Sequence, residues 1–231
     1  MRIRHFSDYE AMSAEAARLF QEAIAGQQSP TACLATGHSP RGLYRHLAAS
    51  KADFTHLNIV KLDEWLGLPM DHPGSCETYL RQEVLEPLGI SDTRFVGFHA
   101  TPPDTRAECR RLQGELTRLG TLDVCVLGIG KNGHLAMNEP AAHLQPHCHR
   151  AQLAPGTQQH AMLAGSEITI TEGLTLGMAD ILNARLVLLL VSGPGKEEAF
   201  QRLQNPVLTT ELPASFLWLH PNVEVLAEGM G

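Results

Sequence analysis

A histidine, an acid and two amides lie within one short run near the middle of the chain. Asn132, His134, Asn138 and Glu139 belong to the stretch DVCVLGIGKNGHLAMNEP, residues 123–140. Neutral histidine is the side chain best suited to moving protons near pH 7, and a neighbouring acid can orient it. The run opens with the apolar residues Val124, Cys125, Val126 and Leu127 and then reaches Gly128, Gly130 and Gly133. A buried strand that stops in glycines and polar side chains fits the carboxyl end of a parallel sheet, where open α/β folds place their sites. Glycine there lets backbone N–H groups come close to a ligand.

Three further polar sets follow apolar runs. Thr36, Gly37 and Ser39 come after residues 31–34, Asp63 and Glu64 after 56–62, and Ser192, Gly193 and Lys196 after 186–191. Together they supply an anion cradle, a carboxylate pair, a His–acid set and a cation, which suits proton transfer on a phosphorylated small molecule. Each set also has a plainer reading. Ser39 and Pro40 fit an N-cap and first turn as well as a phosphate cradle. Asp63 fits a loop cap, Lys196 a solvated first-turn residue and Glu139 an ordinary turn acid.

Bringing these sets to one edge requires alternating strands and helices, and the periodicity predicts them. Helices are expected over 9–25, from Pro40 onward, and over 76–85, 105–119, 174–182 and 196–203. Strands are expected over 31–34, 56–62, 94–98, 124–127 and 186–191, with a short one around Val223 and Val225. Residues 144–163 are the least regular. The alternation predicts α/β architecture: a single doubly wound, mainly parallel, Rossmann-like sheet with helices on both faces, in one domain over residues 1–231.

A hydrophobic content of 43% and a charged content of 19% fit a soluble globular chain. The net charge of −7, with no Lys/Arg stripe, argues against nucleic acid or an anionic membrane as partner. The longest apolar run, 186–191, is too short to span a bilayer, and the N-terminus lacks the apolar core of a signal peptide, so a cytoplasmic location is expected. Cys33 and Cys125, inside apolar strands, read as buried free thiols. GIGKNG is not followed by the acid-ended strand of a dinucleotide fingerprint. His143, His147, Cys148 and His149 lack a carboxylate or second cysteine pair at ligand spacing, so no metal site is expected there.

Five segments carry a resemblance to a known family: LDEWLGL, HPGSCETYL, GIGKNGHLAMNEP, GLTLGMADILNARLVLLLVSGPGK and SFLWLHPN, in that order along the chain. They resemble the glucosamine-6-phosphate deaminase/isomerase and 6-phosphogluconolactonase superfamily. Within it, KLDEW, GKNGH, LQPHCH and TQQHAML look most like the galactosamine-6-phosphate deaminase/isomerase branch. The resemblance implies ring opening assisted by His134, with Glu139 tuning it and Asn132 in the same relay. It implies proton transfer between C2 and C1 by Asp63 as general base through a cis-enolamine, then loss of ammonia to give tagatose 6-phosphate. It also places Thr36, Gly37, His38, Ser39 and Lys196 at phosphate-binding positions, with Gly130 beside the substrate, and implies no metal or organic cofactor.

This chain departs from the pattern in two places. Asn132 stands where the deaminases usually have aspartate, and an amide cannot carry a proton or stabilise an imidazolium. In serine proteases the analogous Asp→Asn change costs ~10⁴ in kcat. Residues 157–163 lack the family's phosphate-binding arginine, with His160 nearby as a weaker substitute. Ala142, His143 and His149 do not match the allosteric residues of the hexameric deaminases, so activation by N-acetylglucosamine 6-phosphate is not expected. Two other readings stand beside this one: a lactonase in which His134 activates water, and a sugar-phosphate-binding effector domain without turnover. A homo-oligomer is possible on this pattern.

Overall fold

The structure is a computed structural model that describes residues 1–164 and 166–230. Among the described residues ten strands are formed: β1 (Arg2–Phe6), β2 (Thr31–Leu34), β3 (Asn58–Lys61), β4 (Asp63–Trp65), β5 (Phe95–Val96), β6 (Val124–Gly128), β7 (His149–Gln152), β8 (Glu172–Thr175), β9 (Leu186–Val191) and β10 (Val223–Glu228). Seven of them make one parallel sheet in the order β1-β10-β9-β6-β2-β3-β5. Parallel strands buried on both faces need apolar residues at nearly every position, and β9, LVLLLV, is buried throughout.

Alternate residues of the strands feed two separate cores. Cys33, Val60, Cys125, Val187 and Val225 pack on one face, against the helices Thr105–Leu119 and Glu197–Leu203. Leu34, Ile59, Val126, Leu188 and Leu226 pack on the other, against Tyr9–Ile24 and His38–Ala49. The doubly wound, Rossmann-like architecture expected from the alternation is therefore present. From β2 the chain winds outward through β3 to β5, then returns to β6 and winds the other way through β9 to β10. The direction reverses between β2 and β6, and the crevice at such a reversal is where these sheets bind ligands.

The sequence pattern did not reveal the second sheet. β4, β8 and β7 form an antiparallel layer in which Asp63 and His149 both face Thr175. Residues 174–182, expected as one helix, divide into the end of β8 and the short helix Met178–Leu182. Edge strand β1 was also unexpected, and β7 lies within the segment read as irregular. Among the described residues, no helix is long and apolar enough to cross a membrane.

Candidate active site

Four loops converge at the carboxyl ends of β2, β3, β6 and β9. The loop after β6 is tightly folded: Gly130 N–H donates to the His134 carbonyl at 3.0 Å, and Gly133 N–H to the Gly130 carbonyl at 3.0 Å. This turn lays the His134 ring over Gly130, where any Cβ would collide with the imidazole. Gly130 thus serves the ring directly, as its floor. Ala136 takes a left-handed φ of 54°, a strained backbone that puts Asn138 and Glu139 back under the histidine. Asn138 is buried, and its amide donates to the carbonyls of Leu135 (3.0 Å) and Leu176 (2.9 Å), anchoring the loop to the small sheet.

Glu139 is surrounded by donors. Oε2 lies 3.2 Å from His134 Nδ1 and accepts from Asn132 Nδ2 at 2.7 Å, while Oε1 accepts from Ala154 N–H at 3.3 Å. Burial works to raise its pKa, but the hydrogen bond and charge of His134, with Thr157 and Asn132, outweigh it and hold the carboxyl at about 2. Asn132 uses both ends of its amide, since its Oδ1 also accepts from His134 N–H at 3.2 Å. With Glu139 bound to Nδ1, the Nε2 edge of the ring is left to the crevice.

Asp63 has the opposite surroundings. It is 9% exposed, and the contact recorded for its carboxylate is a weak one, Cys76 Sγ to Oδ1 at 3.7 Å. Burial, followed by the charge of Glu64, pushes its carboxyl up to about 7, against smaller opposing effects of Cys76, His134 and Lys61. The expected carboxylate pair therefore divides. Glu64 is fully buried and engaged by Lys61 Nζ (2.7 Å) and by the backbone N–H groups of Trp65 (3.0 Å), Cys76 (3.0 Å) and Glu77 (2.9 Å). Lys61 also holds Glu77 at 2.9 Å, and the absence of a side chain at Gly97 makes room for it. This buried ionic cluster supports β4 from beneath. Lys61 and Glu77 lie within KLDEW and HPGSCETYL, but those segments gave no sign that the two side chains pair.

The residues expected to cradle an anion lie between β2 and β9. The helix after β2 begins at His38 with Gly37 as its N-cap, so Ser39 is not the cap that the letters suggested and Pro40 is the third residue of the first turn. Gly37 has φ 96°, a conformation that favours glycine, and its carbonyl accepts from Tyr79 OH at 2.6 Å. Ser39 is buried and accepts from Lys196 Nζ at 2.9 Å. That contact replaces the solvated first-turn reading of Lys196. Desolvation, followed by the charge of Lys131, lowers Lys196 to about 8. Thr36 lies 3.6 Å from Cys76 Sγ, linking the cradle to Asp63.

His38 is exposed and stacks on Tyr9 with ring centres 4.8 Å apart, and Tyr9 OH donates to the His38 carbonyl at 2.6 Å. His160 hangs beside Gly37, with Cε1 about 3.9 Å from where a Cβ at 37 would be, and its ring centre is 5.7 Å from that of Trp65. Solvent reaches part of the ring, yet loss of water around it, and then the charges of His134 and Lys196, lower its pKa. Lys131 went unnoticed in the sequence because nothing marks one exposed lysine in a loop. Its Cε stands 3.1 Å from a Cβ position at Gly195, beside Lys196. Outside the crevice, the His147 ring pairs with Asp180 at 2.9 Å, and His149 Nδ1 donates to the His147 carbonyl at 2.8 Å.

Comparisons with known proteins give the family of the chain. The family model described as glucosamine-6-phosphate isomerases/6-phosphogluconolactonase matches residues 7–226. AgaI of Escherichia coli (strain K12), a provisionally assigned deaminase, is 44% identical over 224 residues, covering 95% of this chain and 89% of that protein. The glucosamine-6-phosphate deaminase of Geobacillus sp. (strain WCH70) is 33% identical over 234 residues, covering 99% and 93%. The solved structure of a monomeric glucosamine-6-phosphate deaminase superposes with a TM-score of 0.95 at 33% identity, covering 100% of this chain and 98% of the other. The chain belongs to the family of glucosamine-6-phosphate isomerases and 6-phosphogluconolactonases, among its amino-sugar-phosphate deaminases.

Proposed function

We propose that the protein converts galactosamine 6-phosphate and water to tagatose 6-phosphate and ammonia. The observation that carries the reaction type is the pairing of Asp63, a buried carboxyl with a pKa near 7, with a histidine backed by a fully ionised glutamate. A general base works best when its pKa lies near the working pH. The 6-phosphate sits on the Gly37–Ser39 helix end with Lys196, Lys131 supplies the charge that an arginine would otherwise bring, and His160 stands beside Gly37 as a neutral ring. His134, oriented through Nδ1 by Glu139, moves a proton between the ring oxygen and O1 to open the sugar. Asp63 then takes the C2 proton while one ammonium proton passes to O1, giving the enolamine, and Asp63 returns its proton to C1, leaving a ketimine at C2. Water adds there, ammonia leaves, and the ketose phosphate remains.

The galacto assignment rests on the resemblance carried by residues 61–65, 130–134, 144–149 and 157–163. Ammonia release from galactosamine 6-phosphate and glucosamine 6-phosphate, measured side by side across pH, tests it. Faster release from the galacto sugar is the expected result. Preference for the gluco sugar overturns the substrate and keeps the chemistry. Hydrolysis of 6-phosphogluconolactone without ammonia from either amino sugar overturns both.

A further inference from the structure

Cys76 has no part in the reaction as written, yet it lies between two residues that do. It is fully buried at the start of the helix Cys76–Leu80, with Sγ 3.7 Å from Asp63 Oδ1 and 3.6 Å from Thr36 Oγ1. Its backbone N–H is fixed on Glu64 Oε1 at 3.0 Å, so the thiol cannot drift away. Burial, then the charges of Glu64 and Asp63, pushes the thiol well up, and it keeps its proton. An ionised carboxylate can only accept, a threonine hydroxyl can donate, and a thiol can do both weakly. The direction of the chain follows: Thr36 O–H to Sγ, and S–H to Asp63 Oδ1.

We propose that Cys76 is a positioning residue for Asp63, pinning Oδ1 so that Oδ2 faces the substrate and tying that orientation to Thr36 in the phosphate cradle. The inference rests on the reading of Asp63 as the general base. It explains why a thiol stands here. A strong donor would hold the carboxylate low, whereas S–H orients it and leaves it basic. The other titratable groups that face Asp63 are Glu64 and Lys61 from its own side, His134 from the opposite loop, and Cys33 and Tyr44 beneath.

The test compares Cys76→Ala and Cys76→Ser with the unaltered protein by kcat, KM and the pH profile of ammonia release, with thermal unfolding as the folding control. Loss of one hydrogen bond predicts a roughly 5- to 10-fold lower kcat for Cys76→Ala, little change in KM, and an acid limb of kcat/KM moved to higher pH. Cys76→Ser, with a stronger donor, restores most of the rate and moves that limb to lower pH than in the unaltered protein. An unmoved limb in Cys76→Ala, or a serine variant with the alanine variant's profile, overturns the proposal. If the alanine variant does not fold, an unmoved limb in the serine variant overturns it alone. Asp63→Asn separates the two readings. If it keeps turnover, the base assignment fails. If it is inactive while the Cys76 profiles stay put, only the positioning role fails.

Discussion

Asp63 and Glu139 are both buried carboxyl groups at the ends of strands in one crevice, and their environments drive them in opposite directions. Glu139 collects a histidine, an amide and a backbone N–H, and burial is overcome. Asp63 has a thiol for company and a like charge behind it at Glu64, and burial prevails. Chemically similar side chains thereby become a basic group and a permanent anion, the separation by which one site runs acid and base steps together. The local architecture explains the difference. Glu139 lies on a loop that folds the side chains of Asn132 and His134 back onto it and brings it against Ala154 N–H, whereas Asp63 is in a strand paired with β8 and meets only the Cys76 thiol among the described side-chain donors.

The largest expected effect tests the Asp63 half. Asp63→Asn is expected to lower kcat for ammonia release by roughly 10³-fold, within the usual span for a general base. It should also stabilise the empty protein. With a native pKa near 7 and a reference value of 3.8, Asp63 is ionised only in the unfolded chain between those values and in both states above 7. Its ionisation therefore costs native stability fully above pH 7 and nothing below about 3.8, a cost on the order of 2–4 kcal/mol. Thermal unfolding at pH 8 should show the variant more stable than the unaltered protein, with the gap closing toward pH 4. An inactive variant with no gain at pH 8 would break the contrast.

Glu139→Gln is the mirror experiment, with roughly 10²-fold lower kcat expected because His134 loses its orienting anion. Stability should move the other way. A carboxyl lowered from 4.5 to about 2 contributes stability above pH 4.5 that is lost as pH falls toward 2. The glutamine variant should thus melt earlier at pH 7, by about 2 kcal/mol, and match the unaltered protein near pH 2. If both variants shifted melting in the same direction, the opposition between the two groups would be wrong.

Asn132→Asp sharpens the comparison from a residue whose role the family pattern left in doubt. Asn132 Nδ2 donates to Glu139 Oε2 at 2.7 Å, a bond that an ionised aspartate cannot make. Two carboxylates at that distance would raise one another's pKa and spoil the fixed anion behind His134. We expect restoration of the family's usual aspartate to lower kcat about tenfold near neutral pH, read from ammonia release, with partial recovery in acid where the pair shares a proton. A faster enzyme would show that the relay needs charge more than it needs the amide.

Much of this was legible in the letters, and the exceptions share one cause. β2, β6 and β9 announce themselves because strands buried on both faces must be apolar, and glycine with polar residues after them marks the site. β4 and β7 carry DEW and HRAQ, and nothing local makes those strands. Their pairing with β8 comes from more than a hundred residues away in the case of Asp63 and Thr175. Glu77 is likewise remote from Lys61 and Glu64 in sequence until the fold gathers them. His134 and Glu139 were readable since five residues of one loop hold them. The role of Cys76 was not, because its contacts lie 13 and 40 positions away.

The smallest effect concerns the cradle, where the same reasoning applies to cations. Lys196 is lowered to about 8 by desolvation and then by Lys131, so between pH 7 and 9 the free protein loses the charge proposed to meet the phosphate. KM for the sugar phosphate should rise as pH passes 8 while kcat holds. Lys131→Met removes an exposed charge that repels Lys196 and, on the proposed function, also attracts the phosphate. Those roles oppose each other. Below pH 8 the loss of attraction dominates, and KM should rise roughly two- to fivefold, the modest effect expected of a solvated charge. Above pH 8 Lys196 should stay protonated longer, so the alkaline rise in KM moves to higher pH and the two KM curves converge. A variant curve parallel to that of the unaltered protein across this range would mean that Lys131 attracts the substrate without setting the charge of Lys196. The cradle would then lack the mutual tuning that separates Asp63 from Glu139.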